Sequence, residues 1–213
     1  MVGTVKRQYR SERRAAQALE TRRAIVASAT RLFVEHGYGA TTLDAVAEAA
    51  GVSRKTIFTS VGGKLELLQL ALDWAVAGDD QLVALSDRAA IREWLDQSDP
   101  ANVLSGLAGL LAEIGARVGP LYTVVEVAAG IDPAARDLIA ESQHRRRDDA
   151  RKVVRRLRDL KALTTRITHR EAVDLVWLAM DPSLFDRLVR VRGWTASRFA
   201  DWLASALQAQ LLD

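Results

Sequence analysis

Six polar side chains that could contact nucleic acid lie close together in one short stretch of the chain. They are Ser53, Arg54, Lys55, Thr56, Thr59 and Ser60. Hydroxyl, guanidinium and ammonium groups donate hydrogen bonds to phosphate oxygens and base edges, and one arginine can bind both major-groove acceptors of a guanine. Arg54 is therefore the best candidate for a base contact, and the chemistry predicted for this stretch is recognition of a polyanion.

Two short helices joined by a tight turn would carry these side chains. The first has an apolar stripe of Leu43, Val46, Ala47 and Ala50, and Ser53 can cap a second helix over residues 54–61. Gly51 supplies the residue without a Cβ that a sharp reversal requires, while Val52 and Ile57 can lock the two helices together. This is the pattern of a helix-turn-helix, in which the second helix enters the major groove. The alternative is a plain helical hairpin with a charged cap.

The flanking sequence predicts the helices that support this pair. Residues 21–36 place Ile25, Ala29, Leu32 and Phe33 on one face of a first helix, which Gly37 ends. The run from Thr41 to Asp44 resembles a capping box, with Asp44 in the position that reaches back. Residues 64–76 are apolar on more than one face, so we expect this helix to lie between two bodies.

Charge is distributed unevenly along the 213 residues. Residues 1–64 hold 11 Lys and Arg against 5 Asp and Glu, the rest of the chain holds 19 against 22, and the whole chain has a net charge of +3. A basic module on a mildly acidic body is typical of polyanion binding. We predict a basic flexible arm over residues 1–20, which either follows the DNA backbone or is a solvated tail.

The composition argues against several other classes of protein. An apolar fraction of 49% and a charged fraction of 27% exclude a disordered or fibrous chain, and the lack of cysteine excludes disulfides and thiolate chemistry. His36, His144 and His169 lack metal-ligand spacing, and no phosphate loop or nucleophile elbow is present, so we predict no enzyme, no metal and no cofactor. The sequence shows neither a secretory signal nor a stretch of membrane-spanning apolar length, so we expect a cytoplasmic protein without membrane contact.

Prolines at 100, 120, 133 and 182 divide the remainder into runs of helical length without strand-like alternation. We predict further helices at about 81–97, 101–117, 120–130, 134–161, 168–180, 182–191 and 195–212. The predicted fold class is all-α, with a three-helix helix-turn-helix DNA-binding domain over 21–66 and a helical C-terminal domain over 67–213.

The stretch from Thr21 to Leu72, which contains LFVEHGYGATTLDAVAEAAGVSRKTIFTSVGGKLELL, closely resembles the N-terminal domain of TetR-type (TetR/AcrR) transcriptional regulators. The matching positions are Phe33, Gly37, Thr41, Thr42, Val46, Ala47, Ala50, Gly51, Val52, Ser53, Thr56, Ile57, Phe58 and Lys64. The resemblance implies a homodimer that reads double-stranded DNA, with a C-terminal domain for dimerisation and effector binding. It further implies a repressor that a small-molecule effector releases from an inverted-repeat operator.

Carried over position by position, the resemblance assigns the DNA contacts. Thr42 and Lys64 would touch phosphates from helix ends. The remaining assigned residues, in or beside the groove, are Ser53, Arg54, Lys55, Thr56, Phe58 and Thr59. Phe58 stands where the family usually has Tyr, and it keeps the ring packing without the hydroxyl that would reach a phosphate. Gly62 and Gly63 replace more usual polar residues, and Leu65 occupies a place that is often acidic.

Two further surfaces are predicted in the C-terminal domain. The predicted dimer interface consists of Val173, Val176, Trp177, Phe199, Trp202, Leu203, Ala206, Leu207 and Gln210, which lie at helical spacing. The predicted effector pocket consists of Trp74, Trp94, Leu107, Leu111, Tyr122, Glu126 and Trp177. For both sets the alternative is that the residues fill the core of the monomer.

Two rival functions remain open from the sequence. One is a helical protein-interaction module that docks an acidic partner and has no specific operator or effector. The other is a DNA-binding regulator without an effector.

Overall fold

The computed structural model describes residues 2–80 and 89–213, with residues 2–12 and 90 described by their backbone alone. Within these ranges the regular elements are helices, and the one β-type pairing is an isolated bridge between Leu163 and Leu212. The predicted all-α fold class is confirmed. The helices are α1 (Val2–Ala40), α2 (Leu43–Ala50), α3 (Arg54–Ser60), α4 (Lys64–Ala77), α5 (Ala89–Leu95), α6 (Pro100–Ile131), α7 (Pro133–Asp159), α8 (His169–Ala179), α9 (Pro182–Phe185), a π-helical segment (Asp186–Val191) and α10 (Ala196–Leu211).

The first helix is longer than the sequence pattern predicts. It begins at Val2 instead of Thr21, so residues 2–20 are helical where we expected a flexible arm. The reason is local, because this stretch is rich in Ala, Arg, Glu and Gln, which favour helix. Gly37 interrupts the helix with φ 78° and ψ 170°, as expected from its position after His36.

The caps of α2 and α3 show which local predictions are correct. Ser53 accepts from the backbone N–H of Thr56 at 3.1 Å, as predicted. The predicted capping box at α2 is wrong. Thr42 is the N-cap, and its hydroxyl oxygen accepts a hydrogen bond from the backbone N–H of Ala45 at 3.1 Å. The neighbouring Thr41 is buried and donates its hydroxyl to the carbonyl of Gly37 at 2.8 Å, so it is not available as a cap.

The long helix α6 joins two helices that we predicted to be separate. It runs through Pro120 without a break, and Val118 and Leu121 on either side of the proline are each 1% exposed. A proline removes one helical hydrogen bond, but burial of the flanking turns holds both halves in line. By length and composition α6 could also cross a membrane, so the prediction that no such stretch exists is wrong. In this fold α6 is the central helix of the body and packs against α10, α7, α1 and α4.

Two hydrophobic cores lie along α6. The first combines α1 to α4 with the C-terminal half of α6, and the second combines the N-terminal half of α6 with α7, α8, α9 and α10. Helix α4 buries Leu67, Leu68, Ala71 and Leu72, which agrees with its predicted place between two bodies. The predicted helix at 81–97 is observed as α5, while residues 81–88 lie outside the described ranges.

Candidate nucleic-acid interface

The turn between α2 and α3 has the geometry that the sequence pattern predicts. Gly51 adopts the left-handed conformation, with φ 65° and ψ 32°, and donates its N–H to the carbonyl of Glu48 at 3.1 Å. The N–H of Val52 donates to the carbonyl of Ala47 at 2.9 Å, which closes the turn. Ala47 and Ile57 are buried beneath it, so α2 and α3 are held in one fixed arrangement.

Helix α3 presents a polar outer face. Arg54, Lys55, Phe58 and Thr59 are exposed, whereas Ile57 is completely buried on the opposite side. The hydroxyl of Thr59 donates to the carbonyl of Lys55 at 3.1 Å. Its two outward charges make the face suitable for binding a polyanion.

The predicted base-reading residue already has contacts in the protein alone. Arg54 donates from Nη1 to Oδ2 of Asp44 at 3.0 Å, and its guanidinium carbon lies 5.7 Å from the centre of the Phe58 ring. Phe58 is 50% exposed, so its ring forms a platform at the outer surface. The sequence analysis did not anticipate this use of Asp44, because the two residues belong to different helices.

The ammonium group of Lys64 is directed inward. Its Nζ donates to the carbonyls of Tyr38 at 2.6 Å and Thr41 at 2.9 Å, and it lies 4.3 Å from the centre of the Tyr38 ring. Burial lowers the pKa of Lys64, opposed by the charge of Asp132. The ammonium group of Lys64 therefore fastens α4 to the end of α1, and the phosphate contact that the resemblance implies for Lys64 at the start of α4 stays a prediction.

A hydrogen bond connects this end of α1 to the body of the protein. The hydroxyl of Tyr38 donates to Oδ2 of Asp132 at 3.2 Å, and the other carboxylate oxygen of Asp132 caps α7 through the N–H of Ala134 at 3.0 Å. Tyr38 is 7% exposed, and burial together with the charge of Asp132 raises its pKa to about 12. Sequence reasoning missed this pair because 94 positions separate the two residues.

The seven predicted effector-pocket residues do not come together. Trp74 and Tyr122 belong to the first core, Glu126 is exposed, and the other four belong to the second core, namely Trp94, Leu107, Leu111 and Trp177. An effector pocket lined by this set stays a prediction. Their helical spacing reflects two separate cores, and Glu126 lies on the solvent face of α6.

A small cavity lies elsewhere in the second core. Leu111, Ile114, Phe185 and Phe199 are among its lining residues, and its volume is about 20 Å³, enough for about one water molecule. Leu111 is the one predicted pocket residue that lines it. In this structure the cavity is too small to contain a drug-sized molecule.

Most of the predicted dimer interface is core. Five of its nine residues are buried within the protomer, namely Val173, Val176, Phe199, Leu203 and Leu207. Trp177 and Ala206 are half-buried, while Trp202 and Gln210 are exposed. Since a buried side chain is already packed within the protomer, the four less buried residues of the set lie on the outer faces of α8 and α10.

In residues 2–80 and 89–213, apart from the side chains left undescribed, no three His, Cys, Asp or Glu side chains gather in a way that could hold a metal ion.

Comparison with known proteins identifies the helix-turn-helix. Residues 25–71 match the model of "Bacterial regulatory proteins, tetR family". A stretch of 58 residues is 45% identical to the HTH-type transcriptional regulator SrpR of Pseudomonas putida, and it covers 27% of this chain and 27% of SrpR. The match thus spans about a quarter of that relative's length.

Solved structures extend the likeness in fold over nearly the whole chain. NalD, the secondary repressor of the MexAB-OprM multidrug efflux pump in Pseudomonas aeruginosa, aligns with a TM-score of 0.63 and 18% identity, over 92% of this chain and 98% of NalD. The SmeT–triclosan complex aligns with a TM-score of 0.65 and 17% identity, over 91% and 92% of the two chains.

The closed turn at Gly51 and the polar outer face of α3 define a protein of the helix-turn-helix class. Residues 25–71 match the family model of bacterial regulatory proteins of the tetR family, and the chain shares its overall fold with solved structures of such regulators. Its relatives are transcriptional regulators, a class whose members are generally not enzymes.

Proposed function

We propose that this protein is a sequence-specific transcriptional repressor that acts in the bacterial cytoplasm. In the proposal it binds an inverted-repeat operator as a homodimer and leaves the operator when a small molecule binds its C-terminal domain. The observation that carries the proposal is the rigid α2–turn–α3 unit, which buries Ile57 and Ala47 and presents Arg54 and Lys55 outward. A recognition helix works in this way, because the bracing helix fixes which side chains face the groove.

The first test is selection of bound DNA. The full-length protein is incubated with sheared genomic DNA from its source at near-physiological salt, and the retained fragments are sequenced. Enrichment of a few fragments that share an inverted repeat is the expected result. Diffuse binding or none would instead favour the protein-interaction module, because sequence-independent binding shows phosphate contact alone.

The second test addresses the recognition helix. Replacing both Arg54 and Lys55 by Ala should abolish specific binding to the selected fragment and leave the oligomeric state unchanged. The control is Arg170→Ala, which removes an exposed positive charge at the start of α8, far along the chain from α3. Unchanged operator affinity in the double variant would refute the assignment of α3.

The dimer is proposed to form through the outer faces of α8 and α10. Leu178 on α8 is 55% exposed and Trp202 on α10 is 40% exposed, which is unusual for such large apolar side chains. We expect Trp202→Glu to convert a dimer into a monomer in sedimentation velocity. Val127→Glu is the control, because Val127 is 60% exposed on α6. If Val127→Glu dissociates the dimer and Trp202→Glu does not, the interface lies on α6 instead.

The effector is proposed to act by shifting the balance between two spacings of the DNA-binding helices. It can release DNA only if it binds the non-competent spacing more tightly. Helix α4 provides the connection, because Lys64 fastens its first turn to α1 while Arg117 of α6 donates to the carbonyl of Ala75 at 2.8 Å near its end.

Ligand binding can be tested before the natural effector is known. Triclosan is a suitable first probe, since the structurally similar SmeT forms a complex with it. A ligand at a hundred times its dissociation constant stabilises the folded state by about 2.7 kcal/mol, which a thermal-shift assay detects. Stabilisation together with weaker operator binding is expected, and stabilisation without any effect on DNA would contradict the coupling.

A further inference from the structure

Asp44 occupies an unusual place for an acidic residue in a surface that would bind DNA. It lies in the first turn of α2, and its carboxylate is 3.0 Å from Nη1 of Arg54, the first residue of α3. Both side chains are more than half exposed. A carboxylate there repels every phosphate that approaches, so its charge alone lowers affinity for any DNA.

The contact does constrain the orientation of the arginine. A free arginine side chain samples many rotamers, and an exposed one near DNA can pair with whichever phosphate is closest. Asp44 holds one end of the guanidinium, and the ring of Phe58 lies beside its carbon at 5.7 Å. The guanidinium has five N–H donors, so binding Asp44 through Nη1 leaves Nε and Nη2 available for two acceptors.

We propose that Asp44 is a specificity-determining positioning residue, which holds Arg54 in the orientation that reads a base and disfavours its pairing with phosphate. The inference rests on the proposed DNA-binding function and adds to it a residue outside the recognition helix. Asp44 would lower affinity for all duplexes and raise the ratio of operator to non-operator binding. This is selection by a repulsive group in addition to attractive ones.

Helix α2 offers a matched control for the charge. Glu48 lies one turn further along the same helix, is also exposed and forms no ion pair with any residue of the described ranges. Removing its charge by Glu48→Gln changes the field near the DNA without releasing Arg54. Asp44→Asn removes both the charge and the strong interaction with the guanidinium.

The test compares the wild type, Asp44→Asn and Glu48→Gln on a selected operator fragment and on an unrelated duplex of equal length. We expect both variants to bind the unrelated duplex more tightly by similar factors. Asp44→Asn should also lower the operator preference by about tenfold, since one bidentate base contact contributes roughly 5- to 150-fold to discrimination. Glu48→Gln should keep the wild-type preference. Equal preferences in the two variants would overturn the proposal.

Further measurements separate this proposal from its premise. If the wild type prefers no fragment at all, the proposed DNA-binding function fails first. In the absence of DNA, the exchange behaviour of the ¹⁵Nε resonance of Arg54 should change in Asp44→Asn and stay as in the wild type in Glu48→Gln. Identical behaviour in the two variants would show that the contact with Asp44 does not order the arginine. In an Arg54→Ala background, Asp44→Asn should no longer change the preference, and a persisting change would show that Asp44 acts independently of Arg54.

Discussion

The hydrogen bond between Tyr38 and Asp132 can be tested as the connection between the DNA-binding helices and the body. Tyr38→Phe removes the hydroxyl and keeps the ring, which stacks near Phe33 with centroids 6.1 Å apart. A hydrogen bond to a charged acceptor contributes about 1.5–3 kcal/mol, and a donor–acceptor distance of 3.2 Å is long for a hydroxyl. We therefore expect a loss of about 1.5 kcal/mol, or about 3–6 °C in Tm for a chain of this size.

Urea denaturation followed by circular dichroism at 222 nm measures this loss at pH 7. Asp132→Asn is the companion variant, because asparagine is also a good N-cap and should preserve the start of α7. In the double variant the two losses should be less than additive, since both single changes weaken the same contact. A Tyr38→Phe variant as stable as the wild type, with additive behaviour in the double variant, would refute the contact.

The raised pKa of Tyr38 predicts how this difference depends on pH. Burial and the charge of Asp132 raise the pKa to about 12 from an unfolded value of 10.0. The stability that the protonated Tyr38 hydroxyl contributes is therefore complete below pH 10 and is lost as pH rises towards 12. Each pH unit between these two pKa values lowers the free energy of unfolding of the wild type by about 1.4 kcal/mol. Wild type and Tyr38→Phe should therefore become nearly equal in stability near pH 11. A difference that stays constant from pH 8 to 11 would contradict the assigned pKa.

Three further predictions concern the backbone and the helix caps. Gly51→Ala should cost about 1 kcal/mol in urea denaturation, because φ is positive and no atom lies within 4 Å of the added Cβ, and Gly51→Asn should cost less. Gly115→Ala should cost about 1–3 kcal/mol, because the new Cβ would come too close to Cγ and Cβ of Phe185. Thr168→Ala should cost about 1 kcal/mol through the lost cap of α8. Hydrogen bonds from Thr168 lower the pKa of Glu171, so the stability from this capping pair is present above the ordinary glutamate pKa and is lost as pH falls below it.

Much of the DNA-binding unit is predictable because its determinants are local. The cap at Ser53, the turn at Gly51 and the buried stripe of α2 each depend on residues within a few positions of one another. The same local rules failed at α2, where two adjacent threonines can both act as a cap. Burial of Thr41 under α1 decides between them, and burial is not visible in a pattern of four residues.

Sequence patterns could not separate core from surface in the C-terminal domain. Helical spacing correctly indicated that Val173, Phe199 and Leu203 face something apolar, and the structure shows that their neighbours belong to the same protomer. An amphipathic stripe predicts that one face of a helix is buried. It does not indicate whether that face packs within the protomer or against a partner. The same limit applies to the predicted pocket residues, because Trp74 and Trp177 pack against two different cores.

Composition and local spacing were enough to predict an all-helical chain with a helix-turn-helix near its start, since caps, turns and apolar periodicity act over a few residues. The continuous path of α6 through Pro120, the inward contacts of Lys64 and the bonds from Arg54 to Asp44 and from Tyr38 to Asp132 depend on helices that meet only when the chain is folded. Such contacts arise from packing between distant segments, and that packing decides which charged groups of this protein lie on its outer surface and which ones hold its parts together.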